Sequence, residues 1–171
     1  KSKKQNIRAV FITHAHYAHI GGLPHLMAPL GNPTIYSSNL SLAIIAKRQE
    51  DFKDSPELKM HSVTTNDTIK AGCFRVGFFG VSHNIPTSMG LVIETPVGKI
   101  VHTGDFKIDP KETGAGRTEI EKIRALGSQN ITALLADSTN ASHAGKQLSE
   151  FEIQHNLDDI IRDAKGRVIM G

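Results

Sequence analysis

The chain has 171 residues, of which 39% are hydrophobic and 22% charged, so its length and composition are those of one ordinary globular domain. No apolar run approaches the roughly 18 residues that a membrane-spanning helix needs, and the lysine-rich N-terminus leads into no apolar signal core. A single cysteine excludes an internal disulfide, which favours a reducing, cytoplasmic location. The formal net charge of +3 is compatible with a polyanionic partner but does not identify one.

The first half of the chain alternates strand and helix patterns. Arg8–Thr13 is short, β-branched and apolar, which predicts a strand buried on both faces, and Thr34–Ser37 predicts a second strand. A helix should follow, with Ser38 or Asn39 as its N-cap. Thr68–Val81 has a strand pattern that glycines interrupt, which predicts a hairpin with bends.

The second half contains a hairpin, two helices and a further strand. Turn residues between Leu91–Glu94 and Lys99–Thr103 predict the hairpin, and Ile131–Asp137 predicts a buried strand. Capping boxes, each a hydroxyl residue followed three positions later by glutamate, predict the two helices. The capping pairs are Thr118 with Glu121 and Ser149 with Glu152.

The second of these helices has an apolar stripe that predicts a buried face, formed by Ile153, Leu157, Ile160, Ile161 and Ala164. Arg167–Gly171 has the composition of the beginning of a buried strand, and the first strand starts almost at the N-terminus. We therefore expect the sequence to be a segment of a longer α/β protein. Its polar clusters fall just past strand ends, where such folds place their chemistry.

Three histidines, His14, His16 and His19, directly follow the first predicted strand. Imidazole is a common zinc ligand. A continuous strand would send His19 to the face opposite His14, so all three can meet only if the chain turns at Tyr17-Ala18. A histidine-rich surface loop without metal is the alternative, but the position after a buried strand favours a metal site.

Four motifs, in order along the chain, resemble those of the metallo-β-lactamase superfamily in the form found in the ribonuclease J group. The segment His14–His19 resembles the HxHxDH signature. Ser82–Ser88 is similar to the next metal-binding histidine loop, and His102–Lys107 to the loop whose aspartate bridges two metals. Asp137–Ala141 resembles the acidic motif that opens the β-CASP part of these nucleases.

The resemblance implies an α/β metallo-β-lactamase fold, which is an αββα sandwich, here incomplete at both ends. Residues 1–171 would form a partial domain, with a β-CASP domain beginning at or just after the C-terminal end. Asp137 would be a helper carboxylate near the metals or, alternatively, a cap at a strand end. Two zinc ions are implied, the first held by His14, His16 and His83 and the second by His19 and Asp105, with Asp105 able to bridge both.

Ala18 departs from the pattern, because the family has an aspartate at this position that binds the second metal and accepts a hydrogen bond or proton from the attacking water. A methyl group does neither, which predicts weak second-metal binding and a large loss of activity. A deliberate exchange of Asp for Ala is one explanation, favoured by the retention of the other ligands. A natural inactive paralogue acting as a scaffold is the other.

The leading functional prediction, which the resemblance implies, is a zinc-dependent ribonuclease. It would cleave RNA 5′-to-3′ and internally, by attack of metal-bound hydroxide on phosphodiesters, during RNA maturation and decay. Single-stranded RNA with a 5′ monophosphate would be its partner, no membrane would be involved, and the full-length protein would be a homo-oligomer. The alternatives are a small-molecule hydrolase, such as a glyoxalase II-like thioesterase or a lactonase, and a non-catalytic RNA-binding paralogue.

Overall fold

The computed structural model describes residues 6–109, 117–145 and 148–170 of the chain. Within these ranges the strands form one three-stranded and one five-stranded sheet. The strands are β1 (Ala9–Phe11), β2 (Thr34–Ser37), β3 (Met60–Ser62), β4 (Thr68–Ala71), β5 (Phe74–Gly80), β6 (Met89–Thr95), β7 (Gly98–His102) and β8 (Ile131–Leu135). The helices are α1 (Tyr17–Ile20), α2 (Leu23–Leu30), α3 (Asn39–Gln49), α4 (Ile120–Gly127) and α5 (Glu150–Asp163).

The strand directions bring several strand ends to one edge of the larger sheet. The smaller sheet has the order β1-β2-β3 and is parallel throughout. In the larger sheet, β4 to β7 are antiparallel neighbours, whereas β8 pairs parallel with β7. Because β5, β7 and β8 therefore run in the same direction, the loops that follow them emerge at the same edge.

The helices α1 to α3, the smaller sheet, the larger sheet and the helix α4 form four layers, and a hydrophobic cluster lies between each layer and the next. One cluster packs α1, α2 and α3 against the smaller sheet through residues such as Met27, Ile35 and Ile45. A second joins the two sheets, where Phe11 lies 5.3 Å from Tyr36 and 6.2 Å from Phe78 between ring centroids. The third packs α4 against the outer face of the larger sheet. This αββα arrangement confirms the fold class predicted from the motifs.

Several local predictions are confirmed. The strand β2 has the predicted bounds, and both predicted hairpins are present, with Gly72 at a φ of 66° in the turn before β5. Ser38 is the N-cap of α3, where its side chain accepts a hydrogen bond from the Ser41 amide. The capping box of Ser149 and Glu152 is formed at the start of α5.

Other local predictions are wrong or incomplete. The sequence patterns did not indicate α2, which contains Pro24 and Pro29, or the short strand β3. The predicted capping box of Thr118 and Glu121 is absent, and Glu119 is the N-cap residue of α4. The Thr118 hydroxyl is instead buried against Ser82, with 2.9 Å between the two side-chain oxygens, so a long-range contact replaced the local one.

The predicted buried face of α5 is also wrong, because Leu157, Ile160 and Ile161 are exposed in the described part of the chain. Residues 167–170 form no strand, and Ile169 is 91% exposed. An apolar stripe shows which face of a helix can be buried, but burial also needs a partner surface. Among the described residues, no helix is both long and apolar enough to cross a membrane.

Candidate metal centre

Loops at the ends of four strands converge on one site. His14 and His16 follow β1, His83 follows β5, Asp105 follows β7 and Asp137 follows β8. The two sheets are joined close to this point, since the Met89 amide donates a 3.0 Å hydrogen bond to the Thr13 carbonyl.

Four side chains form a compact group of potential metal ligands. One donor atom from each of His14, His16, His83 and Asp105 lies within 4.8 Å of every other. The nitrogen Nδ1 of His16 lies 3.1 Å from Nε2 of His14 and 3.1 Å from Nε2 of His83. The Oδ2 atom of Asp105 lies 3.6 Å from His14 Nε2 and 3.9 Å from His83 Nε2.

This donor set fits a tetrahedral zinc ion. Ligand bonds of about 2.0–2.1 Å imply donor atoms about 3.3 Å apart around a tetrahedron. The measured separations of 3.1 to 3.9 Å scatter around that value, and every pair of donor atoms in the group lies within 4.8 Å. Three imidazoles and a carboxylate also match zinc chemistry better than the oxygen-rich shells of magnesium or calcium. The group is therefore capable of binding a metal ion.

His19 lies on the open side of this group. The single helical turn α1 redirects the chain after His16, and His19 Nε2 comes within 3.4 Å of Asp105 Oδ2. Asp105 thus lies between His19 and the other histidines. Ala18 is exposed in the same helical turn. Its side chain is a methyl group and therefore offers no polar atom next to His19.

Burial and mutual repulsion keep the central imidazoles neutral. Burial, followed by the proximity of His19 and His83, lowers the pKa of His14 to about 4, and Asp105 opposes the shift only in part. Burial and the neighbouring His16 also lower the pKa of His83. At neutral pH both rings therefore carry lone pairs, which is the state that a metal ion requires.

Residues behind the histidines orient them and the aspartate loop. Thr13 Oγ1 lies 3.0 Å from Nδ1 of His14, which leaves Nε2 directed towards the site. Gly104 has a φ of 62°, and a Cβ atom there would lie 2.9 Å from the Cβ of Thr13. Only glycine therefore allows the Asp105 loop to approach this closely. His102 Nδ1 accepts a 2.9 Å hydrogen bond from the Gly104 amide and so helps to hold this loop in place.

Asp137 lies beside the site and outside the compact group of four. Its Oδ1 atom accepts a 2.8 Å hydrogen bond from the Thr139 amide. Hydrogen bonds from Thr139, and the proximity of His83, lower its pKa. Its own amide donates to the Thr103 hydroxyl at 3.1 Å. The hydrogen bond between Asp137 and Thr103 connects the loops after β7 and β8. The sequence motifs did not indicate this connection.

Comparison with known proteins agrees with this geometry. Residues 1–143 match the family described as the beta-lactamase superfamily domain. Ribonuclease J of Thermus thermophilus is 37% identical over 173 residues, covering 98% of this chain and 30% of the relative. Ribonuclease J of Sinorhizobium meliloti is 37% identical over 166 residues, covering 97% of this chain and 29% of the relative. The chain thus spans about 30% of the length of these curated relatives.

The fold is also found in a solved structure of low sequence identity. Zn²⁺-bound PqqB from Methylobacterium extorquens has a TM-score of 0.59 and 21% identity, with 82% of this chain and 51% of that chain covered. At this identity the likeness concerns the fold alone. Because the family match extends over most of the chain and the observed layers agree with it, the chain belongs to the beta-lactamase superfamily, of which it is a ribonuclease J-like, metallo-β-lactamase-fold segment.

Proposed function

We propose that this chain is the metal-binding part of a zinc-dependent ribonuclease whose catalysis is impaired by Ala18. The observation that carries the proposal is the group of three imidazoles and one carboxylate at the common edge of the strands. The similarity to ribonuclease J along 98% of the chain supports RNA as the substrate class.

In this proposal, His14, His16 and His83 hold one zinc ion, while His19 and Asp105 contribute to a second. When bound, two zinc ions supply Lewis acidity for a phosphodiester and lower the pKa of an attacking water. The fully buried His14 anchors the closed side of the site, whereas the side chains of His19 and Asp105 are each 32% exposed. The phosphodiester would approach from that open side.

Ala18 limits what the chain itself can do in the reaction. The site needs a carboxylate near the second ion to orient the water and accept its proton, and the methyl group of Ala18 offers no acceptor. Asp105 is already shared between His14 and His19, with 3.6 and 3.4 Å to their Nε2 atoms, so it does not replace the missing group. We therefore propose that the chain binds the first zinc ion as the family does but hydrolyses RNA slowly.

A second candidate is a non-catalytic RNA-binding paralogue, which Ala18 specifically favours. The test that separates the two compares the full-length protein with its Ala18→Asp variant, using zinc content and cleavage of a 5′-monophosphorylated single-stranded RNA. The ribonuclease proposal expects the variant to cleave RNA, and to turn over a glutathione thioester or a lactone poorly. A variant that binds two zinc ions and leaves RNA intact would support the scaffold instead.

A further inference from the structure

An exposed aromatic ring lies beside the candidate metal centre and has no part in it. Tyr17 is the first residue of α1, directly after His16 and two positions before His19. It is 64% exposed, although an aromatic side chain of this size gains much from burial. A role in binding would account for an exposed aromatic at this position.

The Tyr17 ring is held in a defined orientation. The guanidinium carbon of Arg48, from α3, lies 4.0 Å from the ring centroid, and the guanidinium donates a hydrogen bond to the Tyr17 hydroxyl. The ring edge also contacts Gly21, where a Cβ atom would lie 2.9 Å from Cε1 of Tyr17. An exposed ring fixed in this way would lose little conformational freedom when a ligand stacks on it.

Further contacts hold the Arg48 side chain in its position over Tyr17. Its guanidinium also lies over Phe52, 4.9 Å from that ring centroid, and its Nε atom is buried without a hydrogen-bond partner. A buried unpaired donor is costly, and the contact with two aromatic rings offsets part of that cost. The arginine thus brings a positive charge to the Tyr17 ring, which belongs to the same helical turn as His19.

We propose that Tyr17, backed by Arg48, is a platform on which a base of single-stranded RNA stacks next to the metal centre. The inference rests on the ribonuclease function proposed above and names a substrate-binding residue for it. Every nucleobase offers a π face, so stacking of this kind is tolerant of sequence. It would position the chain of nucleotides relative to His16 and His19 without reading individual bases.

The test uses the full-length protein with Ala18 unchanged. Because this protein is expected to cleave RNA slowly, the RNA stays intact while binding is measured. Affinity is measured at fixed salt for a 5′-monophosphorylated single-stranded RNA and for copies in which one nucleotide at a time is abasic. We expect one abasic position to weaken binding by roughly 5- to 150-fold, the range for loss of one base–aromatic stack. Tyr17→Ala should weaken binding of the intact RNA by a similar factor and should add little to the effect of that abasic position.

Two further variants complete the test. Tyr17→Trp should retain the affinity, because it keeps a stacking surface. Phe74→Ala should leave affinity unchanged, because Phe74 is also an exposed aromatic but lies at the opposite end of β5 from the His83 loop. The dependence of affinity on salt should be the same for Tyr17→Ala and the unchanged protein, since no phosphate contact is removed.

The outcomes distinguish this inference from the function on which it rests. RNA binding that no abasic position weakens would overturn the stacking platform while leaving the ribonuclease proposal in place. An equal loss for intact and abasic RNA in Tyr17→Ala would also overturn it and would assign Tyr17 to anchoring α1 on α3. Absence of RNA binding by the unchanged full-length protein would overturn both.

Discussion

Nε2 of His83 lies 3.1 Å from Nδ1 of His16, although 67 positions separate the two residues in the chain. Two unprotonated ring nitrogens at this distance repel each other unless a cation or a proton lies between them. Burial and the neighbouring His16 lower the pKa of His83, so its ring is neutral at neutral pH and has a lone pair to offer a metal ion. The pair is therefore best satisfied by a bound metal ion.

The first prediction concerns that ion. His83→Ala in the full-length protein should remove most of the zinc, because it deletes one of the imidazoles of the compact group and leaves the others intact. Elemental analysis of the purified protein measures this directly. His155→Ala is the matched control, since His155 is an exposed histidine on α5 that pairs with Asp159. Equal zinc in both variants would contradict the assignment.

The second prediction is that Ala18 separates binding from cleavage. RNA affinity depends on cationic contacts and stacking over a wide surface, so Ala18→Asp should change it only a few-fold. Hydrolysis should become about 10²–10⁴ times faster, the usual contribution of a positioned acid–base group. Affinity at fixed salt and single-turnover cleavage with saturating enzyme measure the two effects. Equal cleavage rates would show that position 18 is not the carboxylate position of this site.

The third prediction tests the close approach of the Asp105 loop to the β1 loop. Gly104→Ala should lower both the thermal stability and the zinc content, because the new Cβ would meet Thr13 at 2.9 Å and the φ of 62° disfavours other residues. The left-handed conformation alone costs about 1–2 kcal/mol. Gly127→Ala is the control, since a Cβ at Gly127 meets no atom within 4 Å. A Gly104→Ala protein with unchanged zinc content would refute the role of this contact.

The fourth prediction is a pH dependence at Glu119. Burial alone would raise its pKa, but hydrogen bonds from the Gly80 amide at 2.7 Å and from Lys122 together lower it below the ordinary value. A carboxyl whose pKa is lower in the folded state stabilises the fold above its unfolded pKa of about 4.3. This stabilisation is lost as the pH falls through the folded value.

Glu119→Gln should therefore reduce the free energy of unfolding by about 1–2 kcal/mol at pH 7, and by progressively less below pH 4. Denaturant unfolding at several pH values measures the difference. The control is Glu121→Gln, because Glu121 is an exposed glutamate two positions after Glu119 that pairs with Arg124. This variant should change stability by less than about 0.5 kcal/mol. A Glu119→Gln effect that is the same at pH 3 and pH 7 would argue against the charged carboxylate as its source.

Interactions within a few residues made much of this protein predictable from its sequence. The bounds of β2, the hairpin within Thr68–Val81 and the capping of α5 by Ser149 and Glu152 depend on dihedral preferences and hydrogen bonds between near neighbours. The fold class followed from the order of the motifs, which the family match over residues 1–143 confirms. The sequence also identified which histidines and aspartates to examine, because their types and spacing are local properties.

Contacts between distant segments decided the rest. The Thr118 hydroxyl forms a hydrogen bond with Ser82, although the local pattern predicted that it caps α4. The apolar face of α5 is exposed, although the local pattern predicted that it is buried. The position of Asp105 between His14 and His19 requires the Gly104 approach to Thr13. The contact of Arg48 with Tyr17 likewise joins α3 to α1. Such distances result from the packing of layers, and no spacing along a chain determines how separate layers meet.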